Sequence, residues 1–172
     1  MFKLIKLVMV SYFLLSVSTA YAVITPNPTA PNIAAKSYIL QDFASGRVLA
    51  EENSEQRLPP ASITKLMTAY VVAQELANGN INLADEVLIS EKAWRMVGSR
   101  SFIEVNTKVP VEVLLRGMII QSGNDAAVAL AEHIAGSEET FAQMMNQYAQ
   151  QLGMFNTNYQ NATGLPSADH YT

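Results

Sequence analysis

The chain has 172 residues, of which 49% are hydrophobic and 15% are charged, and its formal net charge at pH 7 is −4. That apolar content suffices for one ordinary globular domain. An acidic chain argues against nucleic-acid binding, which normally requires a basic patch. The absence of cysteine excludes disulfides and thiolate metal sites.

Residues 1–22 predict a secretory signal peptide. Lys3 and Lys6 form a short basic region, residues 7–17 are apolar, and residues 20–22 (Ala-Tyr-Ala) match a signal-peptidase cleavage pattern. The alternative is an uncleaved membrane anchor, but the apolar run is shorter than the roughly 20 residues that a spanning helix needs. We therefore expect the chain to be exported.

A linker and a hairpin are expected next. Residues 23–35 contain three prolines among small and polar residues, which predicts an extended linker before a domain over residues 36–172. That domain opens with two runs of strand-forming residues, 38–43 and 47–50, on either side of Gly46, so a β-hairpin is predicted. Because two strands alone are marginally stable in water, the hairpin needs further strands as partners.

The rest of the domain is expected to be mainly helical. The patterns predict a helix over 62–77 that is apolar nearly all round, two more over 110–120 and 126–134, and an amphipathic helix marked by apolar residues from 141 to 152. Residues 86–89 predict a short strand.

Ser62 and Lys65 are the first candidate pair of reactive residues. Positions three apart share one face of a helix, so the hydroxyl and the amine can approach each other. Lys65 is the only charged residue between Arg57 and Glu75, and burial there would disfavour the ammonium form and lower the lysine pKa. A neutral amine can accept the serine proton and a cationic one can steer it; either role activates the hydroxyl. The alternative is a helix-capping serine followed by a lysine that reaches out to solvent.

A polar triplet, Ser122-Gly123-Asn124, interrupts two apolar helices. Ser122 could relay a proton to or from a nearby cation, Gly123 permits a tight turn, and Asn124 offers both a donor and an acceptor to a peptide bond. The alternative is capping of the following helix by Asn124 or Asp125.

Together these motifs resemble the low-molecular-mass penicillin-binding proteins, and among them the serine-type D-alanyl-D-alanine carboxypeptidases. Residues 60–68 (Pro-Ala-Ser-Ile-Thr-Lys-Leu-Met-Thr), 115–117 (Leu-Arg-Gly) and 121–126 (Gln-Ser-Gly-Asn-Asp-Ala) occur in the family's order, and the resemblance runs from about residue 36 to the end. It implies an α+β fold of the β-lactamase/transpeptidase-like type, of which this chain holds the N-terminal β-hairpin and a mainly helical subdomain, with the C-terminal sheet strands missing.

The resemblance also implies a reaction and a location. Ser62 would attack the bond between the two terminal D-alanines of a peptidoglycan stem peptide and form an acyl ester, Lys65 would accept the proton, Ser122 would relay it, and Asn124 would bind the substrate amide. β-Lactam antibiotics would acylate Ser62 as substrate mimics. No metal, organic cofactor or nucleic-acid partner is implied, and the family works in the periplasm, at the outer face of the inner membrane.

One family motif does not occur in these residues. The third motif, Lys-Thr-Gly, is absent, and residues 162–164 (Ala-Thr-Gly) lack the lysine and match an earlier loop of the family. The family's remaining strands, its closing helix and its C-terminal membrane-associating region would follow residue 172, and association with the inner membrane is expected only through that region. We therefore expect a truncated domain.

Three alternative functions stay open. A serine β-lactamase is disfavoured by Gly123, because class A β-lactamases typically carry Ser-Asp-Asn, and because Glu138 and Glu139 look like first-turn helix acids rather than a deacylating glutamate. An endopeptidase that cleaves cross-linked peptidoglycan would use the same motifs. A non-catalytic peptidoglycan-binding fragment is supported by the missing third motif.

Two other patterns are interpreted as structural. His133 and His170 lie far apart and have no partner at metal-ligand spacing, so His133 is expected to be a hydrogen-bonded residue of the core or its boundary. Residues 161–163 (Asn-Ala-Thr) match a glycosylation sequon, which in a bacterial exported protein we interpret as a chance match.

Overall fold

The computed structural model describes residues 29–172. The predicted signal peptide and the first part of the predicted linker, residues 23–28, lie outside the described residues. Residues 29–35 contain no helix or strand and are largely exposed. The chain divides into two compact units, one that extends to Ser54 and one from Glu55 to Thr172.

The first unit contains the predicted β-hairpin, which is confirmed. Strand β1 (Tyr38–Gln41) pairs antiparallel with β2 (Val48–Glu52), and Gly46 in the connecting turn has φ +69°, the left-handed conformation that glycine adopts without strain. Within this unit the apolar side chains of the strands stay largely exposed; Ile39 and Leu40 are each 57% accessible. Two strands of this kind bury too little apolar surface to be stable by themselves.

The second unit is built from helices with one small antiparallel sheet. Its elements in chain order are α1 (Thr64–Ala77), β3 (Glu86–Leu88), α2 (Glu91–Trp94), β4 (Lys108–Pro110), α3 (Val111–Gln121), α4 (Asn124–Ala135) and α5 (Glu138–Gln151). Strands β3 and β4 pair with each other. The helices and the strand predicted in this part of the chain are therefore present.

Helix α4 lies at the centre of the second unit. Its first eight residues, 124–131, are all buried, and it packs against α1, α2, α3 and α5. Four of those eight are alanines, so neighbouring helices can approach closely while larger side chains such as Leu114 and Phe141 fill the space between them. Burial of each such large side chain stabilises the fold by about 1.5–3 kcal/mol.

The helix that carries the first motif starts later than predicted. The prediction began it at Ser62, whereas a 3-10 turn occupies Ala61–Ile63 and the α-helix begins at Thr64. The backbone N–H groups of Ile63 and Thr64 bond to carbonyls three residues back, at Pro60 and Ala61, which is the 3-10 pattern. Ala61, with a φ of +48°, lies outside the right-handed helical region and ends this turn on its N-terminal side. Ser62 therefore lies in a tight turn immediately before α1.

No helix of residues 29–172 is both long enough and apolar enough to cross a membrane; the longest have 14 residues.

The core can be tested with two phenylalanines. Phe141 is fully buried, whereas Phe155 is 73% exposed. Replacement Phe141→Ala should lower the free energy of unfolding by about 3–5 kcal/mol, because it leaves a cavity among α4, α5 and their neighbours. Phe155→Ala should change it by no more than about 0.5 kcal/mol. Urea unfolding followed by Trp94 fluorescence measures both, and equal losses would contradict the assigned core.

Candidate active site

Ser62 is presented by a strained turn. Pro60 accepts a backbone hydrogen bond from Ile63 at 3.1 Å, which closes the turn, while Ala61 is held in the left-handed region. Ser62 itself is exposed. The hydroxyl is thus accessible to a substrate while its backbone is fixed by the start of α1.

Lys65 lies in the first turn of α1 and is only 7% exposed. Its Nζ is 3.3 Å from the Ser62 Oγ and donates a 2.7 Å hydrogen bond to the carbonyl oxygen of Thr163. Burial lowers the pKa of the Lys65 amine, because desolvation disfavours the ammonium form. The alternative of a lysine that reaches into solvent is therefore wrong.

Ser122 approaches Ser62 from the end of α3. It follows the last helical residue and adopts the left-handed conformation, with φ +55°. Its hydroxyl donates a 3.0 Å hydrogen bond to the Ser62 Oγ. Ser62 is therefore in contact with an amine and with a second hydroxyl, although Ser122 lies 60 residues away in the chain.

Asn124 faces the same region from the start of α4 and is 4% exposed. Its Nδ2 donates to the Val97 carbonyl at 2.6 Å, and its backbone N–H donates to the Ser99 carbonyl at 2.8 Å. The N-cap position of α4 is Gly123, without a side-chain cap bond, so capping by Asn124 is wrong. One of the two Nδ2 hydrogens is used at Val97, and Oδ1 accepts no hydrogen bond within residues 29–172, so Oδ1 can accept a substrate N–H.

Asp125 fixes the loop beside Asn124. Its fully buried carboxylate accepts from the backbone N–H groups of Ser101 at 2.8 Å and Ile103 at 3.3 Å. It also accepts from its neighbour Ala126 at 2.9 Å. The carboxylate therefore anchors the loop that brings the Val97 and Ser99 carbonyls to Asn124, rather than simply capping α4.

The carbonyl that binds Lys65 belongs to a segment that we call the lysine-facing loop, residues 160–165. Asn161 Oδ1 accepts from the backbone N–H groups of Thr163 at 3.1 Å and Gly164 at 2.7 Å, which folds the loop into a tight turn. The backbone N–H of Ala162 donates to the Glu138 carboxylate at 3.1 Å, and the Ala162 carbonyl accepts from the Thr68 hydroxyl at 2.7 Å. The loop thus holds the Thr163 carbonyl at the buried amine.

Gly164 lets the lysine-facing loop approach the turn of Ser62. It has φ +84°, and a Cβ at this position would overlap the carbonyl oxygen of Ala61. Only a glycine satisfies both the backbone conformation and the close approach.

Two hollows meet at Ser62. A cleft of about 270 Å³ is lined on one side by Ser62 and Asn124 and on the other by Thr163 and Gly164. A smaller hollow of about 160 Å³ contains Ser62, Lys65 and Ser122 over an apolar floor. A carbonyl group bound in the larger cleft would lie beside the Ser62 hydroxyl. The groups that can move the proton of that hydroxyl, Lys65 and Ser122, lie in the smaller hollow.

Comparison with known proteins places these features in a family. The model of the D-alanyl-D-alanine carboxypeptidase family of peptidases matches residues 24–172. The chain belongs to the D-alanyl-D-alanine carboxypeptidase family. The D-alanyl-D-alanine carboxypeptidase DacA of Haemophilus influenzae is 46% identical over 147 residues, which are 84% of this chain and 37% of that protein. The chain thus spans little more than a third of the length of this curated relative.

Solved structures of the family share the fold. The D-alanyl-D-alanine carboxypeptidase DacD of Francisella tularensis superposes with a TM-score of 0.81 at 38% identity, covering 88% of this chain and 37% of that one. Penicillin-binding protein 5 of Haemophilus influenzae gives a TM-score of 0.80 at 46% identity, covering 84% of this chain and 43% of that one. The expected fold class, the transpeptidase-like α+β fold represented by its N-terminal part, is confirmed.

The four site residues predicted for this carboxypeptidase-family chain come together at Ser62: Lys65 and Ser122 contact its hydroxyl in the smaller hollow, and Asn124 lines the larger cleft with it. The catalytic roles assigned to them are predictions. The Thr163 carbonyl was missed as a partner of Lys65. The signal in the sequence was the Asn-x-Thr-Gly pattern of a tight turn, but nothing local indicates that this turn meets a lysine 98 residues earlier.

The two histidines differ in their surroundings. His133 was expected to be hydrogen-bonded, but its Nε2 is buried without a hydrogen-bond partner within the described part of the chain. His170 is almost fully buried and is bonded through both ring nitrogens. Among residues 29–172 no group of three or more His, Asp or Glu side chains could hold a metal ion.

Two glycines test the close approach of the lysine-facing loop. Gly164 and Gly153 have nearly the same φ, +84° and +79°, but only Gly164 has backbone atoms in the space of a Cβ. Gly153→Ala should therefore cost only the backbone strain, about 1–2 kcal/mol in the free energy of unfolding. Gly164→Ala should cost a further 1–3 kcal/mol or so for the overlap with Ala61. Urea unfolding of both variants measures the difference, and equal costs would contradict the approach.

Proposed function

We propose that this chain supplies the nucleophile and the proton-transfer groups of a serine-type D-alanyl-D-alanine carboxypeptidase, which removes the terminal D-alanine from peptidoglycan stem peptides. The observation that carries the proposal is the environment of the Ser62 Oγ, 3.3 Å from a buried amine and 3.0 Å from the Ser122 hydroxyl. Membership in the family supports the same reaction.

The buried amine activates the serine. In its neutral form Lys65 has a lone pair that can take the Ser62 proton as the Oγ attacks the substrate carbonyl carbon. The bond to the Thr163 carbonyl occupies one N–H of the amine, which holds the nitrogen beside Ser62. The new C–O bond gives a tetrahedral intermediate, and the carbonyl electrons move onto its oxygen.

Collapse of the intermediate requires a proton on the leaving nitrogen. Ser122 gives its hydroxyl proton to the departing D-alanine amine and takes in its place the proton that Lys65 removed from Ser62, so the C–N bond breaks, an ester remains on Ser62 and the Lys65 amine is neutral again; all three groups line the smaller hollow. Water then attacks the ester and gives a proton to the Lys65 amine, which passes it to the Ser62 Oγ as the ester C–O bond breaks and the shortened peptide leaves. No net proton is gained or lost by the protein over the cycle.

Asn124 positions the substrate in this scheme. The Val97 carbonyl binds one N–H of its Nδ2 and so orients the amide, whose Oδ1 can accept an N–H of the bound peptide beside Ser62. Such positioning keeps the scissile carbonyl near the nucleophile, and this accounts for much of the rate enhancement of enzymes.

The same arrangement supports acylation by penicillin. A β-lactam presents a strained amide to Ser62, and opening of the ring keeps the leaving nitrogen attached, so the ester persists. We propose action in the periplasm, at the outer face of the inner membrane: the predicted signal peptide supports export, and the family resemblance supports that position.

Substrate assays separate the alternatives. Release of free D-alanine from a D-Ala-D-Ala peptide, with slow release of bound penicillin, supports the carboxypeptidase. Cleavage of cross-linked peptides only would identify an endopeptidase, and rapid penicillin turnover would identify a β-lactamase. Binding of peptidoglycan with no chemistry would leave a non-catalytic role.

The nucleophile is tested by covalent labelling. In the complete gene product, Ser62→Ala should abolish labelling by a fluorescent penicillin, because no ester can form. Ser167→Ala, at an exposed serine outside both hollows, should label like the unmodified protein. Gel fluorescence and peptide mapping measure the adduct, and failure of the unmodified protein to label would refute the proposal.

The role of Lys65 predicts a pH dependence. Because the protonated amine cannot accept the serine proton, the rate of penicillin acylation should rise with pH and level off above the Lys65 pKa. Burial lowers that pKa, so the midpoint should lie below that of an ordinary lysine.

Lys65→Arg keeps a permanent positive charge. This variant should lose the rise with pH and slow acylation by about 10²- to 10⁴-fold, the usual contribution of a general base. Stopped-flow acylation across the neutral to alkaline range provides the measurement. An arginine variant with the unmodified rate and profile would show that Lys65 acts only as a charge.

A further inference from the structure

His170 is buried between the two parts of the chain that form the amine site. Only 4% of its surface is exposed. Its Nε2 is 2.9 Å from the Thr64 Oγ1, and its Nδ1 is 3.1 Å from the backbone nitrogen of Gln160. Both ring nitrogens are therefore within hydrogen-bond distance of partners that belong to different segments.

The partners determine the protonation of the ring. A backbone N–H can only donate, so the Nδ1 must present a lone pair to Gln160. The Nε2 then carries the hydrogen and donates it to the Thr64 hydroxyl. In a doubly protonated ring, the Nδ1–H of His170 would face the backbone N–H of Gln160, and the hydrogen bond between them would be lost. This geometry therefore requires the neutral ring.

The surroundings favour the neutral ring. The ring of Tyr159, itself buried, meets the imidazole edge to face with centroids 5.8 Å apart. Burial lowers the pKa of His170, because an apolar setting disfavours the imidazolium. Tyr159 is the titratable side chain in contact with the ring. Asp169 and Tyr171 flank His170 in the chain, and the Arg57 guanidinium lies 4.3 Å from the Tyr171 ring centroid.

The position of His170 is fixed independently of its ring. Tyr171 and Asn158 exchange two backbone hydrogen bonds of 2.9 and 3.0 Å, and Thr172 pairs with Leu58 through two more. The backbone on the C-terminal side of His170 is therefore tied down at two places, which lets the imidazole act as a rigid connection.

That connection joins the nucleophile turn to the lysine-facing loop. Thr64 lies between Ser62 and Lys65 in the chain and is fully buried. Gln160 begins the loop whose Thr163 carbonyl binds the Lys65 amine at 2.7 Å. The ring thus spans from the helix that carries the amine to the loop that carries the carbonyl.

We propose that His170, as the neutral Nε2–H tautomer, is a positioning residue that sets the placement of the Thr163 carbonyl against the Lys65 amine. It touches neither Ser62 nor the amine, and it acts by holding Thr64 and Gln160 at a fixed separation. The inference deepens the proposed function and rests on it for its catalytic consequence.

The tautomer is tested first, in the unmodified complete gene product. With isotope-labelled histidine, long-range proton–nitrogen spectra at neutral pH should show hydrogen on the Nε2 of His170 and a lone pair on its Nδ1. The His170→Gln variant assigns the signal. Hydrogen on the Nδ1, in either the other tautomer or the imidazolium, would overturn the proposal without any variant having to fold.

The consequence for the amine is tested with three variants. His170→Ala should release the Thr163 carbonyl from the Lys65 amine, and water should take its place. Because burial is what lowers the pKa of that amine, the pKa, measured by NMR of isotope-labelled lysine, should rise towards that of an ordinary lysine. Penicillin acylation of Ser62 should slow by roughly 10- to 100-fold, as expected for a misplaced catalytic group. His170→Gln, an uncharged side chain with one donor and one acceptor, should restore most of both properties.

His133→Ala is the matched control, because the Nε2 of His133 has no hydrogen-bond partner among the described residues and the residue lies outside both hollows at Ser62. It should leave the Lys65 pKa and the acylation rate unchanged. An unaltered Lys65 pKa in His170→Ala would overturn the inference, and so would equal effects of the two histidine variants. If the unmodified protein is not acylated, the proposed function fails, while the tautomer and the Lys65 pKa still decide the role of His170.

Discussion

The site depends on one interaction, the hydrogen bond from the buried Lys65 amine to the Thr163 carbonyl. An amine in water is protonated at neutral pH, and moving it into an apolar region destabilises the charged form. A neutral amine would still need a fixed direction to be useful as a base. The carbonyl bond of 2.7 Å supplies that direction and leaves the nitrogen 3.3 Å from the Ser62 hydroxyl. Burial and orientation are therefore provided by separate features of the fold, the apolar helix α1 and the lysine-facing loop.

The fold meets this constraint with strain and close packing near the reactive groups. Ala61 and Ser122 both have left-handed backbone angles, φ +48° and +55°, although neither is glycine. Each such residue costs about 1–3 kcal/mol, which the surrounding hydrogen bonds and helix packing must offset. In return Ser62 and Ser122 are turned out of regular helix geometry so that their hydroxyls meet at 3.0 Å. Gly164 is needed on the opposite side, where the loop backbone touches the same strained turn.

Local signals in the sequence predicted the elements and the polar residues of the site, but not the contacts between distant segments. The apolar run after Ser62, the hairpin around Gly46 and the break at residues 122–124 each reflect short-range rules of helix, turn and strand formation. The pairing of Lys65 with Thr163 joins segments almost a hundred residues apart, and no periodicity encodes it. Residues 161–163 also match a glycosylation sequon, which says nothing of the role that Asn161 has in the fold: its side-chain oxygen accepts the hydrogen bonds that close the lysine-facing loop.

The late start of α1 explains how one short motif gives two different environments. Residues three apart inside a regular helix share a face, so a serine within α1 would tend to share the burial of Lys65. A buried hydroxyl could be activated but could not reach a peptide. Because the 3-10 turn of residues 61–63 precedes the helix, Ser62 is exposed at the cleft while Lys65 stays 7% accessible one turn later. The three-residue spacing of the motif brings the Ser62 hydroxyl and the Lys65 amine together. The irregular turn exposes the serine to substrate while the lysine stays buried.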